Sequence, residues 1–341
     1  MVLREGLGYT YLSDLEQQAY KIMQKAFFLM ATSFDCSQVA HSVDLMKVLQ
    51  IVLSDNPSII YFNKAHIQIE ESNFDKKIIL TGVNSTHQSE KMNVALDTKV
   101  NKIISSLKTK SSNEYTLLIN LYDSLQRNIR YDKEELQASS KEASKSPASH
   151  NAYGALVNRL AVCDGFSSAF TLLAQKLGFE CMLVIGRSAY SSLASVDHAW
   201  NIVKIQDRYY HMDITWDTLK YNEFGEYSYD YFALNDEEIS NDHNWDKRMT
   251  PTCLYNDFSY YVKSGLYINN ADLLDAIIKT YVNKQANIFR IKVSRSVSLP
   301  ENAGEYLAQK VIDEAIKFTE HVKISYGWNK NTRCFFAKTM S

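Results

Sequence analysis

The sequence predicts an α+β protein, and three observations carry that expectation. Apolar residues recur at three- and four-residue steps in several separated blocks, the mark of amphipathic helices. Short runs rich in β-branched and aromatic residues lie between and after these blocks, as strands require. Around 198–215 two such runs flank the polar pair Gln206-Asp207, which reads as a β-hairpin. With 341 residues, 45% apolar and 22% charged, two or three packed units are expected.

The elements follow in order. Leu12, Leu15, Ala19, Ile22, Met23, Ala26, Phe27 and Met30 form one face of a first helix. Val39, Val43, Met46, Leu49 and Leu53 predict a second over 37–53, which Asp55-Asn56-Pro57 ends because proline lacks a donor and restricts its predecessor. Segments 59–62, 66–70 and 77–80 suit short strands. Helical spacing returns at Leu96, Val100, Ile103, Ile104 and Leu107, and again from Leu117 to Ile129. Residues 132–150 are polar and predict an exposed loop. The tail reads as helix 271–282, strand 288–293, helix 301–318 and strands 322–326 and 332–337, a small α/β unit. The expected division is a helical and short-strand region over 1–110, a middle domain over 111–262 and a C-terminal domain over 263–341.

Composition narrows the function classes. Lys+Arg 37 against Asp+Glu 39 leaves a net charge of −2, so no electrostatic bias points to nucleic acid or an anionic membrane as a partner. Residues 1–13 contain no apolar run of signal-peptide length, and the expected location is cytoplasmic. The five cysteines, at 36, 163, 181, 253 and 334, are an odd number and form no Cys-x-x-Cys. That speaks against a disulfide framework or a zinc knuckle and leaves at least one thiol unpaired within the chain. Phosphate-loop, dinucleotide and His-Glu-x-x-His motifs are absent, so no metal or cofactor is expected.

Cys163 draws the chemistry together. The spacing Phe166, Phe170, Leu173, Ala174 and Leu177 predicts a helix ending at Gly178, with Cys163 at its start. There a sulfur meets unpaired N–H groups and the positive end of the helix dipole, which favour thiolate and can hold a developing oxyanion. In the hairpin, two registers are open, with opposed residues summing to 413 or 411. Either places His198 and Asp213 on one face within side-chain reach, and His211 shares their parity. A carboxylate beside an imidazole orients it, and an imidazole beside a thiol can take and return its proton. By the same parity Trp200 shares the His198 face and would line the cleft, while Trp216 would pack. Asn201 and Asp217 read as local hydrogen-bonding residues, His243 as structural or rim, and Asn235 to Glu238 as a capping box.

Cys163-Asp-Gly-Phe, His198-Ala-Trp-Asn and Asp213-Ile-Thr-Trp-Asp resemble the three core motifs of the transglutaminase-like superfamily. Ala152-Tyr153-Gly154-Ala155-Leu156-Val157, Tyr229-Asp-Tyr-Phe232, Asn128-Ile-Arg-Tyr-Asp132 and Asp55-Asn-Pro57 resemble its bacterial branch. The motif-bearing similarity runs over about 113–250. It implies a papain-like core, a helix bearing the cysteine against an antiparallel sheet bearing histidine and aspartate, flanked by smaller α/β regions. It implies Cys163 as nucleophile, His198 as general base and acid, and Asp213 as orienter. Tyr153, Asp164 and Trp200 are the cleft or oxyanion candidates. A carboxylate at Asp164 favours the helix terminus but opposes thiolate formation if it lies near the sulfur.

The expected activity is acyl transfer on a protein or peptide amide through a Cys163 thioester. Hydrolysis by a peptidase or deamidase is favoured over cross-linking, since no Asp-x-Asp-x-Asp-Gly loop marks a calcium site. A catalytically silent protein- or peptide-binding module on the same fold is the alternative of another class.

Overall fold

Capping residues and buried aromatic rings set the ends and faces of the elements that carry the candidate site. A computed structural model describes the chain except residues 1–2, 40–41, 63–66, 73–74, 139–145, 190–194, 285–286, 319–321 and 341. The N-terminal part contains α1 (Asp14–Phe28), β1 (Ser33–Asp35), α2 (Leu45–Asp55), β2 (Ile67–Glu71) and β3 (Lys76–Leu80). The strands form a three-stranded antiparallel sheet ordered β1-β3-β2. Tyr20, Met23, Phe27, Val48, Val52 and Ile78 pack as its core.

The middle part contains α3 (Thr86–Lys110), α4 (Glu114–Asn128), β4 (Arg130–Tyr131), α5 (Lys133–Ala138), β5 (Leu160–Ala161) and α6 (Cys163–Leu177). It continues with β6 (Cys181–Ser188), β7 (Val196–Ile205), β8 (Arg208–Met212), α7 (Ile214–Phe224), β9 (Phe232–Leu234), α8 (Asp236–Ile239), β10 (His243–Trp245) and α9 (Tyr260–Lys263). Its five-stranded sheet is antiparallel throughout, in the order β10-β6-β7-β8-β9. Helix α6 packs on this sheet: Phe166, Phe170 and Leu173 share one core with Val203, Ile205, Tyr210 and Met212. The architecture is therefore the α+β, papain-like arrangement that the resemblance implied.

The C-terminal part contains β11 (Tyr267–Ile268), α10 (Ala271–Asn283), β12 (Ile288–Val293), α11 (Ala303–Ala315), β13 (Lys323–Asn329) and β14 (Cys334–Met340). Its sheet order is β11-β12-β14-β13, with Leu274, Phe289, Ile291, Leu307 and Phe335 inside. No described helix is long and apolar enough to cross a membrane.

Several expected boundaries shift for local reasons. The second helix starts at Leu45 rather than near 37, because the Asp44 carboxylate caps the N–H groups of Met46 and Lys47. Val39 and Val43 are still buried, so their apolar spacing reports packing rather than helix. Segment 59–62 is no strand; its pairing is a single bridge from Phe62 to Val83. The 132–150 stretch is only partly a loop, and residues 139–145 lie outside the described residues. Around that gap, Asp132 accepts from the Glu135 N–H at 3.1 Å and the Ser149 hydroxyl at 2.6 Å, and all three residues are buried.

Gly165 permits the close approach that brings this stretch to α6. A Cβ there would lie 2.1 Å from the Ser149 carbonyl oxygen. Gly165→Ala therefore forces residues 147–150 away from the helix start. We expect it to lower the thermal midpoint by several degrees, the effect of roughly 1–3 kcal/mol of overpacking, in a calorimetric scan. Gly178, at φ +98°, ends α6 in the left-handed conformation that glycine adopts without strain.

Candidate active site

Cys163 is the first residue of α6, following Val162 in extended conformation. It is the only one of the five free cysteines that is not buried. Burial pushes the Cys36 thiol up to about 11 and the Cys181 thiol to about 12. Burial, with nearby carboxylates, likewise raises Cys253 and Cys334 well above the ordinary thiol range.

The hairpin adopts the 413 register, pairing Ile205 with Arg208 and Asn201 with Met212. Gln206, at φ +55°, makes the tight turn. Strand β8 ends at Met212, and Asp213 sits where the chain turns into α7. Its Oδ2 lies 2.7 Å from His198 Nε2, while its Oδ1 accepts from the N–H groups of Thr215 and Trp216 at 3.0 and 3.3 Å. One carboxylate thus orients the imidazole and caps a helix. Both residues are buried, Asp213 completely.

Burial alone would lower the His198 imidazole, but Asp213, with hydrogen bonding and charge from Cys163, raises it to about 9. Burial would likewise raise Asp213, yet His198 and His243 hold it below the usual carboxylate range. Nε2 of His198 is engaged with Asp213, so any proton exchange with Cys163 would run through Nδ1.

Asn201 ties the cysteine helix to the sheet, donating from Nδ2 to the Ser167 carbonyl at 3.0 Å and to Thr171 Oγ1 at 2.8 Å. Asp217 accepts from Tyr122, Ser228 and the N–H groups of Asp230 and Tyr231. It anchors the 228–231 strap behind α7.

The other sequence candidates fall elsewhere. Asp164 faces His150, whose Nδ1 is 3.0 Å away while Nε2 lies 3.1 Å from Glu135 Oε1. Its charge is therefore shared with an imidazole rather than left bare beside the sulfur. Trp200 is completely buried and donates from Nε1 to His211 Nδ1 at 3.0 Å, so it lines no open cleft. Trp216 stands closer to His198, with ring centroids 5.2 Å apart against 6.0 Å for Trp200. Strand parity does not extend to Trp216, because the chain is helical from Ile214, and this ring packs in the core against His198. His211 is held by Trp200 and Asp236, away from the thiol. Tyr153 borders an open groove of about 760 Å³ with Asn84, Met92 and Pro147. Among the described residues its hydroxyl makes no hydrogen bond.

Two residues were not singled out for the site from the sequence. Tyr131 stacks on Phe166 with centroids 6.4 Å apart, and feels the charges of Cys163, Asp164 and Asp213. The β4–β5 register, Tyr131 opposite Ala161, places it beside the helix start. His243 lies 3.1 Å from Asp213 Oδ2. His198, Asp213 and His243 converge closely enough to surround an ion, as do His211, Asp236 and Cys253. In the second group His211 Nδ1 accepts the Trp200 N–H, so its proton is on Nε2, where a metal would bind. In the first, hydrogen bonds already join the three residues.

A partly exposed helix-start thiol, a buried imidazole and a buried carboxylate define a Cys–His–Asp site. The family model of the transglutaminase-like superfamily matches residues 101–214, which contain all three. Over these residues the chain is similar to the transglutaminase-like superfamily. Among curated proteins, the chain is similar to Kyphoscoliosis peptidase of Mus musculus, 25% identical over 218 residues, which cover 57% of this chain and 31% of that protein. The Homo sapiens protein of the same name is 29% identical over 149 residues, covering 37% of this chain and 21% of the relative. The chain thus spans less than a third of the length of either relative. Among solved structures, the crystal structure of a TGase aligns with a TM-score of 0.33 at 19% identity, covering 44% of this chain and 43% of that one. A candidate cysteine protease from Cytophaga hutchinsonii aligns at 0.28 and 14%, covering 44% and 61%.

Proposed function

We propose that the protein is a cysteine-dependent acyl-transfer enzyme acting on a protein or peptide amide, with water as the favoured acceptor. The observation that carries this reading is the chain from Cys163 through His198 to Asp213. In this mechanism His198 takes the thiol proton through Nδ1, and the thiolate attacks the amide carbonyl. N–H groups of the first turn of α6 favour the negative charge on the oxyanion. Collapse expels the amine, which leaves with the proton from His198, and a Cys163 thioester remains. Water then adds with His198 as base, releasing acid and thiol. Asp213 holds the ring and stabilises its charged form throughout. Hydrolysis is favoured because the matched relatives carry the name peptidase.

Thiol reactivity tests the first step. In native protein treated with limiting iodoacetamide, Cys163 is expected to be alkylated faster than the four buried cysteines and at neutral pH. Reaction no faster than theirs, or only above about pH 8 like an ordinary thiol, overturns the reading. A glutamine-containing peptide offered with a labelled primary amine then separates the outcomes. Cleavage identifies a peptidase, ammonia release without label a deamidase, and label without cleavage a cross-linking enzyme, which would overturn the hydrolytic assignment.

A further inference from the structure

His243 contacts the same carboxylate oxygen as His198. Asp213 Oδ2 lies 2.7 Å from His198 Nε2 and 3.1 Å from His243 Nε2. The second nitrogen of His243, Nδ1, lies 2.6 Å from Asp242 Oδ1. An ionised carboxylate only accepts hydrogen bonds, so both nitrogens of His243 must carry protons. His243 is therefore an imidazolium clamped between two carboxylates, and its side chain is completely buried. Removing a buried charge from water is tolerable only with such pairing.

The clamp is braced from behind. The Tyr231 hydroxyl donates to Asp242 Oδ2 at 2.7 Å. Asn329 of β13, in the C-terminal part, donates to the Tyr231 oxygen at 3.1 Å. A hydrogen-bonded series thus runs from the C-terminal sheet to the imidazole that feels Cys163: Asn329, Tyr231, Asp242, His243, Asp213, His198. Around His243 stand Asp242 from its own chain segment, Asp213 from the β8–α7 junction, His198 from β7 and Tyr231 preceding β9. His211 of β8 feels its charge from behind Trp200. Trp200 and Trp216 close the remaining sides at 4.8 and 4.6 Å between ring centroids.

We propose that His243 is a positioning residue for the thiol chemistry: a second, permanent cation on Asp213 that fixes the carboxylate and limits how strongly it holds the proton on His198. The inference rests on the Cys163–His198 reading above. Its chemical purpose lies in amine expulsion. An imidazolium facing a bare buried carboxylate is a reluctant acid, and His198 must give its proton to the leaving amine. Sharing Asp213 with His243 lowers that reluctance. Each turnover returns the His198 proton to the thiol, and His243 keeps both of its own.

Iodoacetamide rates at Cys163, followed across pH in the full chain, test this without any substrate. The high-pH step of the profile reports loss of the His198 proton. Ring centroids of His198 and His243 are 5.4 Å apart, and a neutral side chain at 243 removes a charge at that range. In His243→Gln the step is expected to move up by about one pH unit. Asp242→Asn, which releases the His243 charge, is expected to move it the same way by less. An unmoved or lowered step in a variant with native circular dichroism overturns the proposal. Nitrogen-15 histidine NMR of the unsubstituted protein provides a measurement that needs no variant to fold. The His243 ring, assigned through its contact with Trp216, is expected to show both nitrogens protonated at neutral pH. A single-proton, neutral ring there overturns the proposal. Absence of any fast thiol at Cys163 overturns the functional reading instead, and the NMR result still decides the charge of His243.

Discussion

Cys163→Ala is expected to lower kcat/KM for amide turnover by about 10⁴-fold or more while leaving the melting temperature within a degree or two. The size of the loss follows from the role of a nucleophile whose removal leaves only binding and oxyanion contacts. The small structural effect follows from position. Cys163 is partly exposed at a helix start, and the packing of α6 is carried by Phe166, Phe170 and Leu173, all completely buried. Stopped-flow turnover with a chromogenic amide, beside a thermal scan, checks both halves. Turnover persisting at the original rate would remove the thioester from the mechanism. Such persistence would not bear on His243, whose protonation is read separately.

Asp213→Ala is expected to be the most destabilising single change at the site. It leaves His198 and His243 buried without their shared anion and uncaps the first turn of α7. Removing one partner of a buried charge pair costs about 3–5 kcal/mol, and a lost cap adds about 1 kcal/mol. Urea denaturation at neutral pH measures the sum. Asp213→Asn keeps an acceptor for the Thr215 and Trp216 N–H groups, so it should recover part of the stability. It should not restore turnover, because a neutral amide cannot stabilise the imidazolium of His198.

The signs of the pH dependence follow from the same contacts. Asp213 titrates below the usual carboxylate range in the folded protein, so its contribution is present above the unfolded value of about 3.9 and is lost as pH falls below it. His198 titrates at about 9 when folded, against about 6.5 unfolded. Its contribution is fully present below the unfolded value and is lost as pH rises through the folded one. Melting temperature against pH should decline on both sides, and Asp213→Ala should flatten both limbs. A variant that kept both limbs would assign them to other groups.

The failures of sequence reasoning share a cause. Trp200 is buried rather than lining a cleft, and Trp216, also packed in the core, lies against His198 because strand parity stops where α7 begins, and the Asp213 cap that starts the helix is also the residue sought as orienter. His243 read as a structural or rim residue because its two carboxylate partners include one 30 positions away. Asp164 raised the prospect of a repelled thiolate, and only the fold brought His150 and Glu135 to it. The stretch after Tyr131 read as a loop because its polar residues, Asp132, Glu135 and Ser149, satisfy one another in the interior rather than in water.

By itself the sequence determined the local geometry: a cysteine at a helix start closed by Gly178, and a two-residue hairpin turn that sets His198 near Asp213. Those features depend on periods of 3.6 and 2 and on capping, which act over a few residues. Only the tertiary structure decided how the site is charged and braced. It placed a second histidine on Asp213, a third beside Asp164, and a bond from the C-terminal sheet to the Tyr231 behind them. Charges interact through space across whichever segments the packing makes neighbours, and no local spacing in the chain encodes which those are.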